Sequence, residues 1–173
     1  MFPKSTARLH LSALSGHEPT LREIVGWLND PEVVRFSEQR HRRHSIETQK
    51  AYFAAVAPPH LYLGVIHDKC VIGTVTVLLD EANSVANVGI MMGDKSKWGK
   101  GYGFEAWRGV CDELFKLGVR KIEAGCMAIN YRMMAICQHC DMIEEGRQDK
   151  HFMLEGHSVD LVHWGKFNET NHA

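Results

Sequence analysis

The stretch from residue 85 to residue 118 constrains the fold more than any other part of the sequence. Val85–Met92 is an apolar run of strand length, and residues 93–103 then carry four glycines. From Phe104 onward, apolar residues recur at helical spacing. A strand, a loop and a helix in this order form a βα unit, which predicts a sheet with a helix packed on one face.

The surrounding sequence adds further strands and helices to this unit. Leu61–Ile66 and Val71–Leu79 have the period of two expected of strands, and the turn Asp68-Lys69 between them predicts a hairpin. The other predicted elements are a strand at Leu9–Leu14, a helix begun by the T-x-x-E capping box of Thr20 and Glu23 and closed before Pro31, a helix capped by Ser45, a strand at Ile122–Cys126, a short helix capped by Asn130, and two closing strands between Gly146 and Phe167.

This order of elements favours an α+β fold with three layers, α/β/α. Hairpins dominate and only part of the chain alternates strand with helix, so we expect a mixed, largely antiparallel twisted sheet of about seven strands flanked by about four helices. We expect residues 1–167 to form a single domain and the polar residues 168–173 to form a frayed C-terminal tail.

Composition narrows the class of partner and the compartment. The formal net charge is −1, which gives no reason to expect nucleic acid, and no apolar run has the length of a membrane span. The five cysteines are an odd number and lie mostly in apolar patterns. This pattern indicates reduced thiols in the core of a cytoplasmic protein.

The glycine-rich loop admits two interpretations. It is either a tight structural turn or a backbone cradle whose N–H groups face an anion at a helix N-terminus, with Lys95, Lys97 and Lys100 adding positive charge. A pyrophosphate suits this chemistry. The loop is not G-x-x-x-x-G-K-[ST], because no Ser or Thr follows its G-K pair to hold magnesium. It is not G-x-G-x-x-G either, because residue 106 is alanine. Spacing alone leaves both interpretations open.

Residues 88–106, VGIMMGDKSKWGKGYGFEA, resemble the acetyl-CoA-binding segment of the GNAT superfamily of N-acetyltransferases. That family carries R/Q-x-x-G-x-G/A; Gly101-Tyr102-Gly103 supplies the G-x-G, and Trp98 stands where Arg or Gln is usual. The branch that resembles ribosomal-protein N-acetyltransferases shares this tryptophan. The resemblance extends to RLHLSALS, WLNDPEVVRF, Asn130 and CDMIEEG, and so covers nearly the whole chain.

The resemblance implies an enzyme that transfers an acetyl group from acetyl-CoA, its co-substrate, directly to a primary amine in a ternary complex, with no metal. It implies that backbone groups of Ile90, Met91 and Met92 pair with the pantetheine arm and that Asn130 binds the pantetheine or positions the thioester. The pyrophosphate would be cradled by the amides of Trp98, Gly99, Lys100, Gly101, Tyr102, Gly103 and Phe104.

The usual acid and base of that family are both missing. Cys137 stands where many members have a tyrosine, and Asn87 stands where a glutamate often serves as base. Glu38 and His41 are therefore the candidate catalytic residues, since either could take a proton from the acceptor ammonium. The alternative is that both belong to a solvated polar loop. A second alternative is a CoA-binding GNAT fold without catalysis.

The acceptor is predicted from the segment between residues 27 and 45, WLNDPEVVRFSEQRHRRHS. It resembles the corresponding part of enzymes that acetylate nucleotide-linked amino sugars. Its arginines suit the phosphates of such an anionic small molecule, and they would repel a basic ribosomal protein. A protein N-terminus of the ribosomal type is the alternative acceptor. The arginines could otherwise face solvent or the partner of a homodimer.

The C-Q-H-C sequence at Cys137 and Cys140 raises the possibility of a zinc or redox site. No second C-x-x-C exists, and the pair continues the apolar spacing of Met133 and Ile136, which favours core packing. A covalent acyl-enzyme at Cys137 would need a lowered pKa, and only His139 lies nearby in sequence to provide one.

Overall fold

The computed structural model describes residues 2–14 and 16–169, which form an eight-stranded sheet with two helices on each face. The strands are β1 Lys4–Ser5, β2 His10–Ala13, β3 Leu61–His67, β4 Cys70–Asp80, β5 Val85–Met92, β6 Lys121–Met127, β7 Ile143–Leu154 and β8 His157–Phe167. The helices are α1 Glu18–Leu28, α2 Ile46–Ala55, α3 Tyr102–Lys116 and α4 Tyr131–His139, and 3-10 turns occur at Glu38–His41 and Lys95–Lys97.

The sheet has the spatial order β1-β2-β3-β4-β5-β6-β8-β7. Every neighbouring pair is antiparallel except β5 and β6, which run parallel. The expected mixed, largely antiparallel sheet is confirmed, with eight strands instead of about seven. The additional strand is β1, and two residues are too few to produce a periodic pattern.

Alternation along β5 shows how the two helical layers divide the core. Ile90 and Met92 contact the larger cluster, which contains the fully buried Trp107 of α3. Met91 points the other way and packs against the smaller cluster, which contains Ile24 and Leu28 of α1. Since neighbouring side chains of a strand lie on opposite faces, α3 and α4 cover one face and α1 and α2 cover the other.

The helix caps show which local signals were decisive. Ser45 caps α2 in a reciprocal capping box with Thr48, and Asn130 caps α4, as predicted. The capping box predicted for α1 at Thr20 and Glu23 is wrong. That helix begins at Glu18, so Thr20 lies inside its first turn, and the residue at the cap has no side-chain hydrogen bond.

The predicted frayed tail does not include Asn168. This residue is only 5% exposed, and its amide Nδ2 donates to the carbonyls of Phe115 (2.9 Å) and Val119 (3.2 Å). These bonds tie the end of β8 to the C-terminal end of α3. Residues 170–173 of the predicted tail lie outside the described residues.

Candidate active site

The sheet forks between its two parallel strands. β5 and β6 pair only where Val85–Asn87 lies beside Lys121–Glu123. Beyond that point β5 continues to Met92 and β6 to Met127, and no pairing joins them within the described part of the chain. The second half of β5 therefore presents one open backbone edge inside the sheet.

The hydrogen bonds of β5 identify the groups on this edge. The Gly93 N–H donates to the Ile72 carbonyl at 3.0 Å, which fixes the side on which β5 bonds β4. Because backbone groups alternate in direction along an antiparallel strand, Met91 also bonds toward β4. Ile90 and Met92 direct their N–H and C=O groups into the fork. The predicted set of three is thus divided, with Met91 on the paired side.

The loop after β5 ends in a helix N-terminus with free donors. Gly101 is the N-cap of α3 at φ 80°, and Gly99 has φ 71°, so both occupy the left-handed region that favours glycine. The first intrahelical bond runs from the Glu105 N–H to the Gly101 carbonyl at 3.0 Å. The N–H groups of residues 99–104 donate no hydrogen bond to any described residue. Unpaired N–H groups at a helix N-terminus are the feature that the predicted anion cradle requires.

Arg8 also holds the loop in place, as the structural-turn interpretation predicts. Arg8 donates from Nη1 to the Lys100 carbonyl (3.0 Å) and from Nε to Glu105 (2.6 Å). Its guanidinium lies 4.3 Å from the ring centroid of Tyr102, whose hydroxyl contacts His67 Nε2 at 2.8 Å. These contacts are those of a structural turn, and the anion cradle stays a prediction for the same loop.

Trp98 contributes structure where the family usually has a charged or amide side chain. Its Nε1 donates to the Met92 carbonyl at 2.8 Å, which anchors the loop to the open edge. The Arg132 guanidinium of α4 lies 4.6 Å over the Trp98 ring and places a cation beside the loop. Sequence reasoning missed Arg132, although it lies two residues after Asn130. Asn130 itself accepts from the Met133 N–H (3.2 Å).

A cavity of about 700 Å³ lies between the segment after α1 and the tip of the β7–β8 hairpin. We call it the arginine cavity. Its charged and titratable lining consists of Arg35, Arg40, His41, Arg42, Arg43, His44 and Glu155. Arg35 pairs with Glu155 at 3.0 Å and Arg40 with Glu38 at 2.6 Å, whereas Arg42 and Arg43 form no ion pair with any described residue. The cavity therefore has a positive excess.

The two predicted catalytic residues lie beside this cavity. Glu38 Oε2 and His41 Nε2 are 3.7 Å apart, and both side chains are well exposed. The Glu38 carboxylate also accepts a hydrogen bond from Arg40 at 2.6 Å. His41 lines the arginine cavity, while Glu38 lines neither this cavity nor the smaller one at the fork.

A second cavity of about 220 Å³ lies where β5 and β6 separate. We call it the fork notch. Its polar lining comes from Asn87, Glu123, Glu145 and His163, each on a different strand. Lys121 Nζ binds both carboxylates, at 2.8 Å from Glu123 and 2.7 Å from Glu145. Sequence reasoning missed this group because no sequence motif joins four separate strands.

Cys137 of α4 and Cys140 at its C-terminal cap belong to the core. Burial raises the pKa of Cys137 to about 12 and that of Cys140 to about 11. Their thiols stay protonated near neutral pH, which argues against a covalent acyl-enzyme and for the packing interpretation. Within residues 2–14 and 16–169, no three His, Cys, Asp or Glu side chains are grouped so as to hold a metal ion.

No helix in the described ranges is long and apolar enough to cross a membrane.

The fork and the loop together define the class of the protein. The family model described as Acetyltransferase (GNAT) domain matches residues 8–143, so the chain belongs to the GNAT acetyltransferases. It is an N-acetyltransferase that uses acetyl-CoA. No curated protein matches its sequence significantly.

Several solved structures share the fold. One is the microcin C7 self-immunity acetyltransferase MccE in complex with acetyl-CoA and AMP (TM-score 0.79, 19% identity, covering 94% of this chain and 93% of that one). Another is RimL, a ribosomal L7/L12 alpha-N-protein acetyltransferase, in complex with coenzyme A (0.83, 14%, 94% and 95%). A third is the spermidine N-acetyltransferase of Vibrio cholerae with CoA and spermine (0.83, 20%, 94% and 97%).

Proposed function

We propose that the chain acetylates a primary amine carried by an anionic small molecule, a nucleotide-linked amino sugar, by direct transfer in a ternary complex. The observation that carries this proposal is the charge balance of the arginine cavity. Four arginines and two histidines line it, against the single carboxylate of Glu155. Guanidinium groups bind phosphate oxygens in bidentate fashion, so a diphosphate is the chemical group that suits this cavity.

Acetyl-CoA has a complementary site on the other side of the fork. The N–H and C=O of Ile90 and the N–H of Met92 can pair with the amides of the pantetheine arm as an added strand would, while the Met92 carbonyl already accepts from Trp98. The free amides of residues 99–104 can receive the pyrophosphate, with the Arg132 cation beside them. Asn130 begins α4 nearby and is the further candidate ligand. When bound, acetyl-CoA supplies the activated thioester.

The positive excess of the arginine cavity favours anionic acceptors over cationic ones. A polyamine or aminoglycoside brings positive charge to a cavity that already has a positive excess, which disfavours its binding. A nucleotide diphosphate brings the opposite charge. The binding of AMP by the structurally similar MccE supports a nucleotide in this fold. A protein N-terminus, by analogy with RimL, is the competing acceptor.

We also propose a cytoplasmic location. All five cysteines are free thiols, and four of them are buried. Unpaired thiols are the usual state in a reducing compartment.

The test is release of free thiol from acetyl-CoA across a panel of acceptors. The panel contains UDP- and dTDP-linked 4-amino and 3-amino sugars, N-terminal peptides and spermidine. We expect turnover with at least one nucleotide-linked amino sugar and weak or no turnover with spermidine. Acetylation of a peptide without activity on any amino-sugar nucleotide would refute this acceptor class.

A further inference from the structure

We propose that the fork notch receives the reacting amine and that Glu123 is the catalytic base that takes its proton. The inference rests on the proposed ternary complex and assigns a residue to the proton transfer that Glu38 and His41 were predicted to perform. Its support comes from the place of the notch in the sheet, the charges that line it and the free carboxylate oxygen it contains.

The notch lies at the apex of the fork, on the face that the acceptor can reach. Asn87 and Glu123 are partners in the last paired position of β5 and β6. Asn87 lies four residues before Met91, so its side chain shares the face that α1 and α2 cover further along β5. The pantetheine arm would enter the fork from the end near α3. Its thioester end would therefore approach Asn87 and Glu123.

The same face leads from the notch to the arginine cavity. Met127 lies four residues after Glu123, about 13 Å along the strand. Phe36, which follows the cavity residue Arg35, packs against the cluster that contains Met127. The notch and the arginine cavity therefore lie along one face of the sheet, and an acceptor whose amine is in the notch would extend its phosphates toward the arginines.

The charges of the notch suit an incoming ammonium group. Lys121 provides one positive charge for the carboxylates of Glu123 and Glu145, so one negative charge remains uncompensated within the notch. Burial opposes the charged form of Lys121, but its hydrogen bonds to the two carboxylates outweigh burial and raise its pKa. Lys121 therefore stays charged and does not itself act as the base.

One oxygen of Glu123 is available for proton transfer. Lys121 donates to Oε1 at 2.8 Å, and Oε2 has no hydrogen bond to any described residue. Glu38 differs, since Arg40 binds its carboxylate and its side chain is 60% exposed, outside both cavities. Glu145 also lines the notch and is bound by Lys121 through one oxygen, but it lies on β7. Glu123 is the notch carboxylate at the apex itself, since it is the strand partner of Asn87 in the last paired position of β5 and β6.

In the proposed step, the acceptor nitrogen loses one proton before it attacks the thioester. The acceptor ammonium transfers one proton to Glu123 Oε2, which leaves a lone pair on nitrogen. That pair forms the C–N bond to the thioester carbonyl carbon, and the C–S bond breaks. The sulfur leaves with a second proton from the same nitrogen, and Glu123 returns the first proton to water. The products are the amide and the free thiol.

The test compares Glu123→Gln with the matched control Glu144→Gln, a β7 carboxylate that pairs with Arg147 outside the notch. Using the acceptor that the wild type acetylates best, we expect Glu123→Gln to lower kcat at pH 7 by roughly 100-fold. Affinity for acetyl-CoA, measured by calorimetry, should stay within about twofold of wild type. Glu144→Gln should match wild type in both measurements. Formate should restore part of the kcat of Glu123→Ala, since the notch can hold a small carboxylate.

The pH profile separates a base from a structural residue. Lys121 on the same strand, Glu145 on β7 and His163 on β8 are the titratable groups that line or bind the notch, and Asn87 on β5 is neutral. In Glu123→Gln only acceptor that has already lost its proton reacts, so kcat should keep rising with pH toward the pKa of the amine. The wild type should reach a plateau earlier. A Glu123→Gln plateau like that of wild type, or loss of the plateau in His163→Gln instead, would overturn the assignment.

Failure of this proposal is distinguishable from failure of the acceptor proposal. If peptides replace nucleotide-linked sugars as the best acceptors, the acceptor class is wrong, and the Glu123 comparison is made with the peptide. If Glu123→Gln retains wild-type kcat and pH profile with the best acceptor, the base is wrong whatever that acceptor is.

Discussion

The two sides of the fork are built in different ways. The proposed acetyl-CoA side uses backbone groups that are nearly consecutive in sequence, from Ile90 to Phe104. The proposed acceptor side uses side chains from residues 28–44 and from the hairpin tip at residues 153–155, more than one hundred residues away. The acetyl-CoA side is a local motif that one loop can encode. The acceptor side forms only when the chain has folded.

This difference separates what depends on backbone conformation from what depends on particular side chains. Backbone N–H groups are available from almost any sequence that adopts the loop, provided that glycine occupies the left-handed positions. RimL accordingly has a TM-score of 0.83 at only 14% identity. Side chains such as the arginines of the cavity can change without disturbing the loop, and the acceptor can change with them.

The largest effect is expected from a variant that disrupts the backbone cradle. Gly101 has φ 80° and is the N-cap of α3, so Gly101→Val places a branched side chain among the free amides and strains the loop. We expect the Kd for acetyl-CoA to rise at least ~100-fold, about 2.7 kcal/mol. Calorimetry measures this change.

Gly118→Val is the matched control for strain. Gly118 lies just after the other end of α3, has φ 90° and has open space where a Cβ would lie. Both variants should lose about 1–3 kcal/mol of stability from the same backbone conformation. Only Gly101→Val should lose acetyl-CoA binding; equal binding by the two variants would refute the cradle.

The second largest effect is expected from a variant that reverses charge on the acceptor side. The double variant Arg42→Glu/Arg43→Glu changes the two cavity arginines that form no ion pair with a described residue. We expect kcat/KM for an anionic acceptor to fall by about 10- to 100-fold, since a hydrogen bond to a charged group contributes about 1.5–3 kcal/mol and solvent reduces this for two exposed arginines. Arg22→Glu, on the exposed face of α1, should change it little.

Acetyl-CoA affinity provides the contrast for this double variant. If the two sides of the fork are independent, its Kd for acetyl-CoA should equal that of wild type. A parallel loss of acetyl-CoA binding would show that the arginines serve the cofactor instead.

A smaller effect is expected on the pH dependence of stability, through Glu105, which Thr6 and Arg8 bind next to the cradle. Burial raises the pKa of Glu105, but hydrogen bonds from Thr6 and Arg8 outweigh it and hold that pKa below its ordinary value. This contribution to the free energy of unfolding is complete above the unfolded-state pKa and is lost as pH falls through the lowered native one. We expect Glu105→Gln to cost about 1–3 kcal/mol at pH 7 and less at pH 3.5.

Urea unfolding at both pH values measures this difference. Glu81→Gln, in the exposed turn before β5, is the control and should be neutral at either pH. A cost of Glu105→Gln that does not shrink at low pH would contradict the lowered pKa.

The smallest effect concerns the cation over Trp98. Arg132→Ala removes the guanidinium that lies 4.6 Å above this ring, beside the free amides. An exposed cation attracts a neighbouring anion by about 0.2–1 kcal/mol, so we expect the Kd for acetyl-CoA to rise by no more than about fivefold. Arg108→Ala, on the exposed side of α3, should leave the Kd unchanged.

Local signals predicted most of the fold because they act within a few residues. Ser45 caps α2 and Asn130 caps α4 because each side chain binds an amide three residues ahead. The same pattern at Thr20 failed, since α1 begins at Glu18 and encloses it. A capping pattern shows that a cap can form there, and tertiary packing decides which residue begins the helix.

The candidate site likewise has parts that one sequence segment predicts and parts that only the folded structure brings together. The glycine loop was recognisable from one segment, and so were the arginines of residues 35–43. The fork notch was not, because Asn87, Glu123, Glu145 and His163 meet only when β5, β6, β7 and β8 pair. Arg132 was missed for a related reason, since its contact with Trp98 depends on how α4 packs beside the loop.

The most direct test measures kcat/KM for a nucleotide-linked amino sugar and for the same amino sugar without the nucleotide. Both carry the same amine, so the difference between them measures what the nucleotide contributes, and the arginine variant measures the share of the arginine cavity. We predict that the nucleotide-linked acceptor is used at least ~100-fold better, and that added salt and Arg42→Glu/Arg43→Glu both reduce this advantage. Equal kcat/KM values for the two acceptors, unaffected by salt, would contradict the account.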